Sequence, residues 1–176
     1  MKKIVLAAMT AALMLPISAS ADLYEKSFGI SYQEVEDLTG YGLEFSSSKL
    51  YDLGKSGFGI GMGFGLNIAY FSADNTSSVV TSDSFSYGGD FSLLAGYNFN
   101  RFGAPLRLKG GIGYEFGQLD NLSYYGIEYI GAVAWDLSRE SAVELKYVSG
   151  SPIYDTELGD FEADHSRIVL SYIIKG

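Results

Sequence analysis

Thirteen consecutive residues, Phe58-Gly-Ile-Gly-Met-Gly-Phe-Gly-Leu-Asn-Ile-Ala-Tyr70, set a large apolar side chain at every even position and a small or polar one at every odd position. Period two marks a strand whose two faces meet different surroundings. The same pattern returns with Phe85, Tyr87, Phe91, Leu93, Ala95, Tyr97 and Phe99 facing away from Ser86, Gly88, Asp90, Ser92, Leu94, Gly96 and Asn98; Gly89 is its single gap. A third strand sets Leu106, Leu108, Ile112, Tyr114 and Phe116 against Arg107, Lys109, Gly111, Gly113 and Glu115. A fourth sets Tyr125, Ile127, Tyr129, Val133 and Trp135 against Glu128, Ala132 and Ala134. Shorter stretches carry Phe28, Ile30 and Tyr32; Tyr41, Leu43 and Phe45; Val143, Leu145 and Tyr147; and Ile168, Leu170, Tyr172 and Ile174. The pattern predicts an all-β chain of eight antiparallel strands, connected up and down.

The first residues follow a different rule. Met1 to Ala21 carries Lys2 and Lys3, an apolar stretch from Ile4 to Leu15, and Ala19-Ser20-Ala21, the three parts of a secretory signal with cleavage expected after Ala21. The apolar stretch is well short of the ~20 residues that a spanning helix needs. The expected division is therefore a signal peptide, 1–21, and one barrel domain, 22–176. Removal of the signal leaves a charge of −11, against −9 for the whole chain, which argues against nucleic acid as a partner. With no cysteine and the single histidine His165, disulfide frameworks, thiolate metal sites and thiol nucleophiles are excluded, and neither a metal nor a cofactor is expected.

Connections alternate in character. Those at 36–40, 72–84, 118–124 and 150–164 follow odd strands, and two of them are long and polar; those near 52–57, 100–105 and 136–141 are shorter and rich in Asp, Asn, Gly, Pro and Ser. Short turns at one end and longer loops at the other are the pattern of an outer-membrane barrel. A soluble barrel with its apolar face inward is the competing arrangement, and the second face decides between them. That face holds Gly59, Gly61, Gly63, Gly65, Ala69, Gly88, Gly96, Gly111 and Gly113, which gain nothing in water but leave room in a narrow lumen for charged side chains from the opposite wall. None of the apolar-face residues above is charged, as hydrocarbon requires, since a Lys or Arg at the bilayer midplane costs ~2–4 kcal/mol. Tyr32, Tyr41, Tyr70, Phe85, Tyr87, Phe116, Tyr125 and Tyr147 at one end, with Phe58, Phe99 and Trp135 at the other, can form two aromatic girdles.

Signal, strand count and alternation together resemble the small outer-membrane β-barrel family, the eight-stranded kind typified by the OmpA membrane domain and OmpX. The resemblance covers 22–176 and rests on architecture rather than a signature motif. It implies a monomer in the bacterial outer membrane, in contact with membrane lipid and lipopolysaccharide and inserted by the barrel assembly machinery. Members of that family usually end on an aromatic residue; this chain ends Tyr172-Ile-Ile-Lys-Gly176, so Tyr172 is the candidate for that role.

The inward face carries Glu44, Asp90, Glu115, Glu128 and Glu144 against Arg107, Lys109, Lys146 and Arg167, a charge network expected to fill the lumen. Arg107, Lys109, Glu144 and Lys146 are expected in the periplasmic half, and Glu115, Glu128 and Arg167 in the outer half. The expected role is a structural or surface-interaction scaffold with a salt-bridged lumen and acidic extracellular loops that offer a surface to a ligand. The alternative is a low-conductance pore for small ions. The last loop contributes Asp155, Glu157, Asp160, Glu162 and Asp164, a mobile acidic segment that lacks the ligand order of a calcium loop and is a candidate for weak cation binding only. His165 and Ser166 beside Asp164 are the sole candidates for a lipid A-modifying hydrolase. Neighbours on a strand point to opposite faces, so no catalytic residue is expected and His165 reads as an exposed strand-end residue.

Overall fold

A computed structural model describes residues 23–52, 57–72, 83–156 and 159–176. The expected signal peptide and its cleavage site lie outside the described residues. The elements are β1 (Leu23–Val35), β2 (Leu38–Asp52), β3 (Phe58–Ser72), β4 (Ser84–Asn98), a 3-10 turn (Phe99–Phe102), β5 (Leu106–Leu119), β6 (Leu122–Asp136), β7 (Ser141–Gly150), β8 (Ile153–Asp155), β9 (Phe161–Glu162) and β10 (His165–Lys175). Eight of these strands form a closed antiparallel barrel in the order β1-β2-β3-β4-β5-β6-β7-β10, and β10 returns to β1 through eleven register pairs, from Glu25–Lys175 to Val35–His165.

The stagger of the barrel follows from the pairing. From Ile30, the row of paired residues runs through Leu43 and Ile68 to Tyr87 on β4. In the other direction it runs through Leu170, Leu145, Val133 and Leu108 to Tyr97, ten residues further along the same strand. An offset of this kind tilts the strands against the barrel axis.

Exposure separates the two faces. Ile30 is 61% exposed, Leu93 65% and Leu145 54%, whereas Glu44, Glu128 and Arg167 are 1% or less. The apolar face is therefore the exterior and the charged face the interior, the arrangement of a barrel surrounded by hydrocarbon. Phe64 and Tyr24 are exceptions on the outer wall, both buried, Phe64 against Phe91 with ring centroids 4.9 Å apart.

Two expected loops are not loops. The strands continue through 36–40 and 118–124 and leave two-residue turns at Glu36–Asp37 and Asp120–Asn121, with Glu36 and Asp120 both at φ 51°. The tightest described connections thus lie at the end that also carries the long ones. The cause is apolar burial above the belt: Val35, Leu38, Phe71, Leu119, Tyr124, Tyr154 and Ala163 form one cluster that fills the mouth and keeps the strands paired.

The last connection is also more ordered than a mobile acidic loop. Its backbone forms β8, paired with the start of β6, and β9, paired with β8. Tyr154 is fully buried, with its ring 5.4 Å from that of Tyr124 and stacked 5.3 Å from that of Phe161. At the opposite end the 3-10 turn is capped by Asn98, whose side chain accepts from Asn100 N, and closed by Gly103 at φ 80°, which donates its N–H to Asn100 O.

Candidate functional site

The lumen is built by parity. Each strand that turns apolar side chains outward turns its alternate residues inward, and on this face small residues leave the space that charged ones occupy. A Cβ on Gly113 would lie 2.7 Å from Glu128 Oε1, and one on Gly65 would strike the Asp90 carboxylate. Both glycines are direct cross-strand partners of the acids they accommodate, so the space serves the neighbouring strand rather than the opposite wall.

The charges form three groups along the barrel. Nearest the start of β1 and the end of β10, Arg107 and Lys109 on β5 reach across to Glu25 on β1, which stands on the opposite wall. The Arg107 guanidinium pairs with Glu25 through Nη1 and with Asp136 Oδ1 through Nε at 2.8 Å; Lys109 Nζ lies 2.9 Å from Glu25 Oε2 and also pairs with Glu144. Lys175 closes this group with Nζ 3.1 Å from Asp136 Oδ1 and 2.8 Å from the Ser138 carbonyl. At mid-barrel Arg167 on β10 faces Glu44 at 3.2 Å, Glu128 at 3.4 Å and Asp90 at 3.7 Å, and Lys146 also pairs with Glu44. Below the mouth, His165 Nδ1 lies 3.2 Å from Glu115 Oε2, with Tyr124 edge-on to the imidazole at 6.0 Å between centroids.

Two expectations are corrected here. Lys146 does not join Arg107, Lys109 and Glu144 at the periplasmic end; two residues further along β7 than Glu144, it reaches the mid-barrel group through Glu44. His165 is not an exposed strand-end residue. It is 6% exposed because it shares the inward parity of Arg167 and because the segment carrying Tyr154 covers the mouth above it. Ser166 points to the other face and is half-buried, away from the imidazole.

Glu25, Asp136, Lys175 and His165 belong to the network although sequence reasoning left them out. The signal was available: each lies on the inward parity of its strand, Asp136 two residues past Ala134 and His165 two before Arg167. A cavity of about 40 Å³ beside Ser48, Ser92, Asp90, Lys109, Glu144 and Lys146 interrupts the packing, enough for a few waters. Asp155, Asp160, Glu162 and Asp164 are exposed; Asp164 Oδ1 accepts from Ser151 Oγ at 2.8 Å, and its backbone N–H donates to Glu36 Oε1 at 2.9 Å. Glu157 lies outside the described residues. Among the described residues, no group of three or more His, Asp or Glu side chains is arranged to hold a metal ion.

On the outside, Tyr32, Tyr41, Tyr70 and Phe85 are successive partners on β1 to β4 and form a continuous aromatic row. Tyr32 donates to Glu34 at 2.7 Å and Tyr70 to Asp83 at 2.5 Å, so these hydroxyls turn toward the polar end of the barrel.

No protein-family model matches this chain, and no curated protein does. Solved structures do. Ail, the attachment invasion locus protein of Yersinia pestis, in complex with the heparin analogue sucrose octasulfate, superposes with a TM-score of 0.59 at 11% identity, over 89% of this chain and 100% of Ail. The fold is that of the small eight-stranded outer-membrane β-barrels. Two further outer-membrane-type barrels agree. Neisserial surface protein A gives 0.53 at 10% identity over 90% of this chain and 99% of its own, and a major outer membrane protein of Thermus thermophilus gives 0.53 at 13% identity over 89% and 100%. At such identities the likeness is one of fold, and the lumen charges of this barrel are read from its own residues.

Proposed function

We propose that this protein is exported to the bacterial outer membrane and serves there as a closed, monomeric scaffold that presents an acidic surface outside the cell. The observation that carries the reading is the mid-barrel brace: Arg167, Glu44 and Glu128 are 1% exposed or less and span the cross-section, so a passing ion would have to break a buried, ion-paired group. The apolar exterior and the aromatic row support lipid and lipopolysaccharide as its surroundings. Tyr172 on the outer face of β10 supports recognition of the last strand by the assembly machinery. With the N-terminus on the periplasmic side, 36–40, 72–84, 118–124 and 150–164 face outward, and they hold ten acidic residues and no Lys or Arg. A partner on this face is cationic, unlike the polysulfated ligand carried by Ail.

Conductance in a planar bilayer tests the closed lumen. The folded protein is expected to give no steps, and Arg167→Ala to give small ones as the brace opens. Steps from the unaltered protein that change with Lys109→Ala or Glu144→Ala would transfer it to the pore class.

A further inference from the structure

Charge is distributed unevenly along the lumen. Among the described residues, the group near the start of β1 is balanced: Glu25, Asp136 and Glu144 meet Arg107, Lys109 and Lys175, three acids against three bases. The layer above it is not. Glu44, Asp90, Glu115 and Glu128, each 5% exposed or less, face only Lys146 and Arg167 as permanent cations, with His165 beside Glu115. β1 and β3 bring no charge to this layer, since their inward residues there are Ser31, Gln33, Gly65 and Asn67. The remaining titratable group is Tyr124, edge-on to His165. Four carboxylates against two bases leave an excess of negative charge away from water, a cost that a buried carboxyl avoids by keeping its proton. The pairing shows where the shortfall sits. Glu44 has both Lys146 and Arg167 Nε, and Glu115 has His165. Asp90 and Glu128 have one nitrogen between them: Arg167 Nη2 lies 3.7 Å from Asp90 Oδ2 and 3.4 Å from Glu128 Oε2. Asp90 Oδ2 and Glu128 Oε1 are buried with no hydrogen-bond partner. Asp90 is also the direct cross-strand partner of Glu115, so a second acid stands opposite it where a base would compensate. Lys146 lines the same small cavity as Asp90, but its ammonium pairs with Glu44.

We propose that Asp90 and Glu128 hold one proton between them at neutral pH, and that its loss in alkali loosens the mid-barrel brace and admits small cations. The opening rests on the closed lumen proposed above; the shared proton does not. Two acids around one guanidinium nitrogen are compensated only when one of them is neutral, and the neutral carboxyl then has an O–H to donate within the group. Without the proton, both carboxylates compete for Arg167, and the cavity of about 40 Å³ beside Asp90 is where water and a cation enter.

Infrared spectroscopy of the protein folded in lipid vesicles reads the proton directly. The C=O stretch of a protonated carboxyl is expected at neutral pH, and its loss in the double variant Asp90→Asn, Glu128→Gln. Unfolding exposes both carboxyls to water, where they ionise, so the proton leaves on unfolding and stability falls as pH rises. Between neutrality and the pH at which the folded protein gives up the proton, the folding equilibrium constant of the unaltered protein should fall about tenfold per pH unit relative to Glu128→Gln, in which Asp90 has Nη2 to itself. An amide keeps the shape of the neutral acid, and a heat-dependent shift in SDS gels checks that each variant folds. If Glu128→Gln does not fold, Asp90→Asn takes its place, and the infrared band of the unaltered protein needs neither. Absence of that band, its persistence in the double variant, or an equal pH slope in the single variant would each overturn the shared proton. Planar-bilayer conductance of the unaltered protein is expected to be silent at neutral pH and to show small cation-selective steps in alkali. Silence after the band has gone would overturn the opening, whereas steps at neutral pH would count against the closed lumen and leave the proton in place.

Discussion

Arg167 shows how much one inward side chain carries. Its guanidinium lies among three carboxylates, Glu44, Asp90 and Glu128, each 5% exposed or less, so its removal leaves buried negative charge without compensation. Arg167→Met is expected to lower unfolding stability in lipid vesicles by about 3–5 kcal/mol, the range for breaking a buried ion pair from one side. Adding Glu44→Gln and Glu128→Gln to that variant should recover part of the loss. Denaturant titration followed by tryptophan fluorescence checks both, since Trp135 is the sole tryptophan. Parity made Arg167 legible as an inward residue. Its choice of partners was not, because Glu44, Asp90 and Glu128 are brought to it by three different strands.

At the scale of the element, the segment from β7 to β10 departs most from its sequence reading. Five acids within fifteen residues suggest a solvated loop, yet the four described ones, Asp155, Asp160, Glu162 and Asp164, are exposed while Tyr154 and Ala163 anchor the segment to the mouth. The apolar residues are too few and too scattered for any period to reveal them. Tyr154→Ala is expected to release this segment while leaving the barrel closed, because the β1–β10 seam does not involve it. Limited proteolysis of the folded protein should then cut within 150–164 far faster than in the unaltered protein, with the heat-dependent gel shift retained. Loss of the shift together with the cleavage would show that the mouth cluster holds the whole barrel rather than its own cap. The tight turns at Glu36–Asp37 and Asp120–Asn121 have the same origin, since Leu38 and Leu119 beside them are buried in that cluster.

Taken as a whole, the molecule is polarised along its axis. Acids without bases occupy the four outward connections, while Lys26, Lys49, Lys175 and Arg139 lie toward the other end. Immobilised protein is expected to bind a polylysine peptide, with affinity falling steeply as salt rises, and to leave heparin unbound at the same ionic strength. Heparin binding that tracks salt would invert the proposed orientation of charge.

Period two by itself determined the eight barrel strands, the all-β architecture and which face is the exterior, because the central outward positions are almost uniformly apolar while charge is kept to the other face. It also determined that the lumen is charged and that glycines make room there. Only the tertiary structure decided which charges meet: Arg107 with Glu25 across the full width of the lumen, Lys146 with Glu44, and His165 with Glu115 beneath a covered mouth. The register that joins β10 to β1 and staggers the barrel by ten residues sets those pairings. Parity along a strand is a local property that a sequence displays, whereas the height at which two inward side chains meet depends on pairing between strands far apart in the chain.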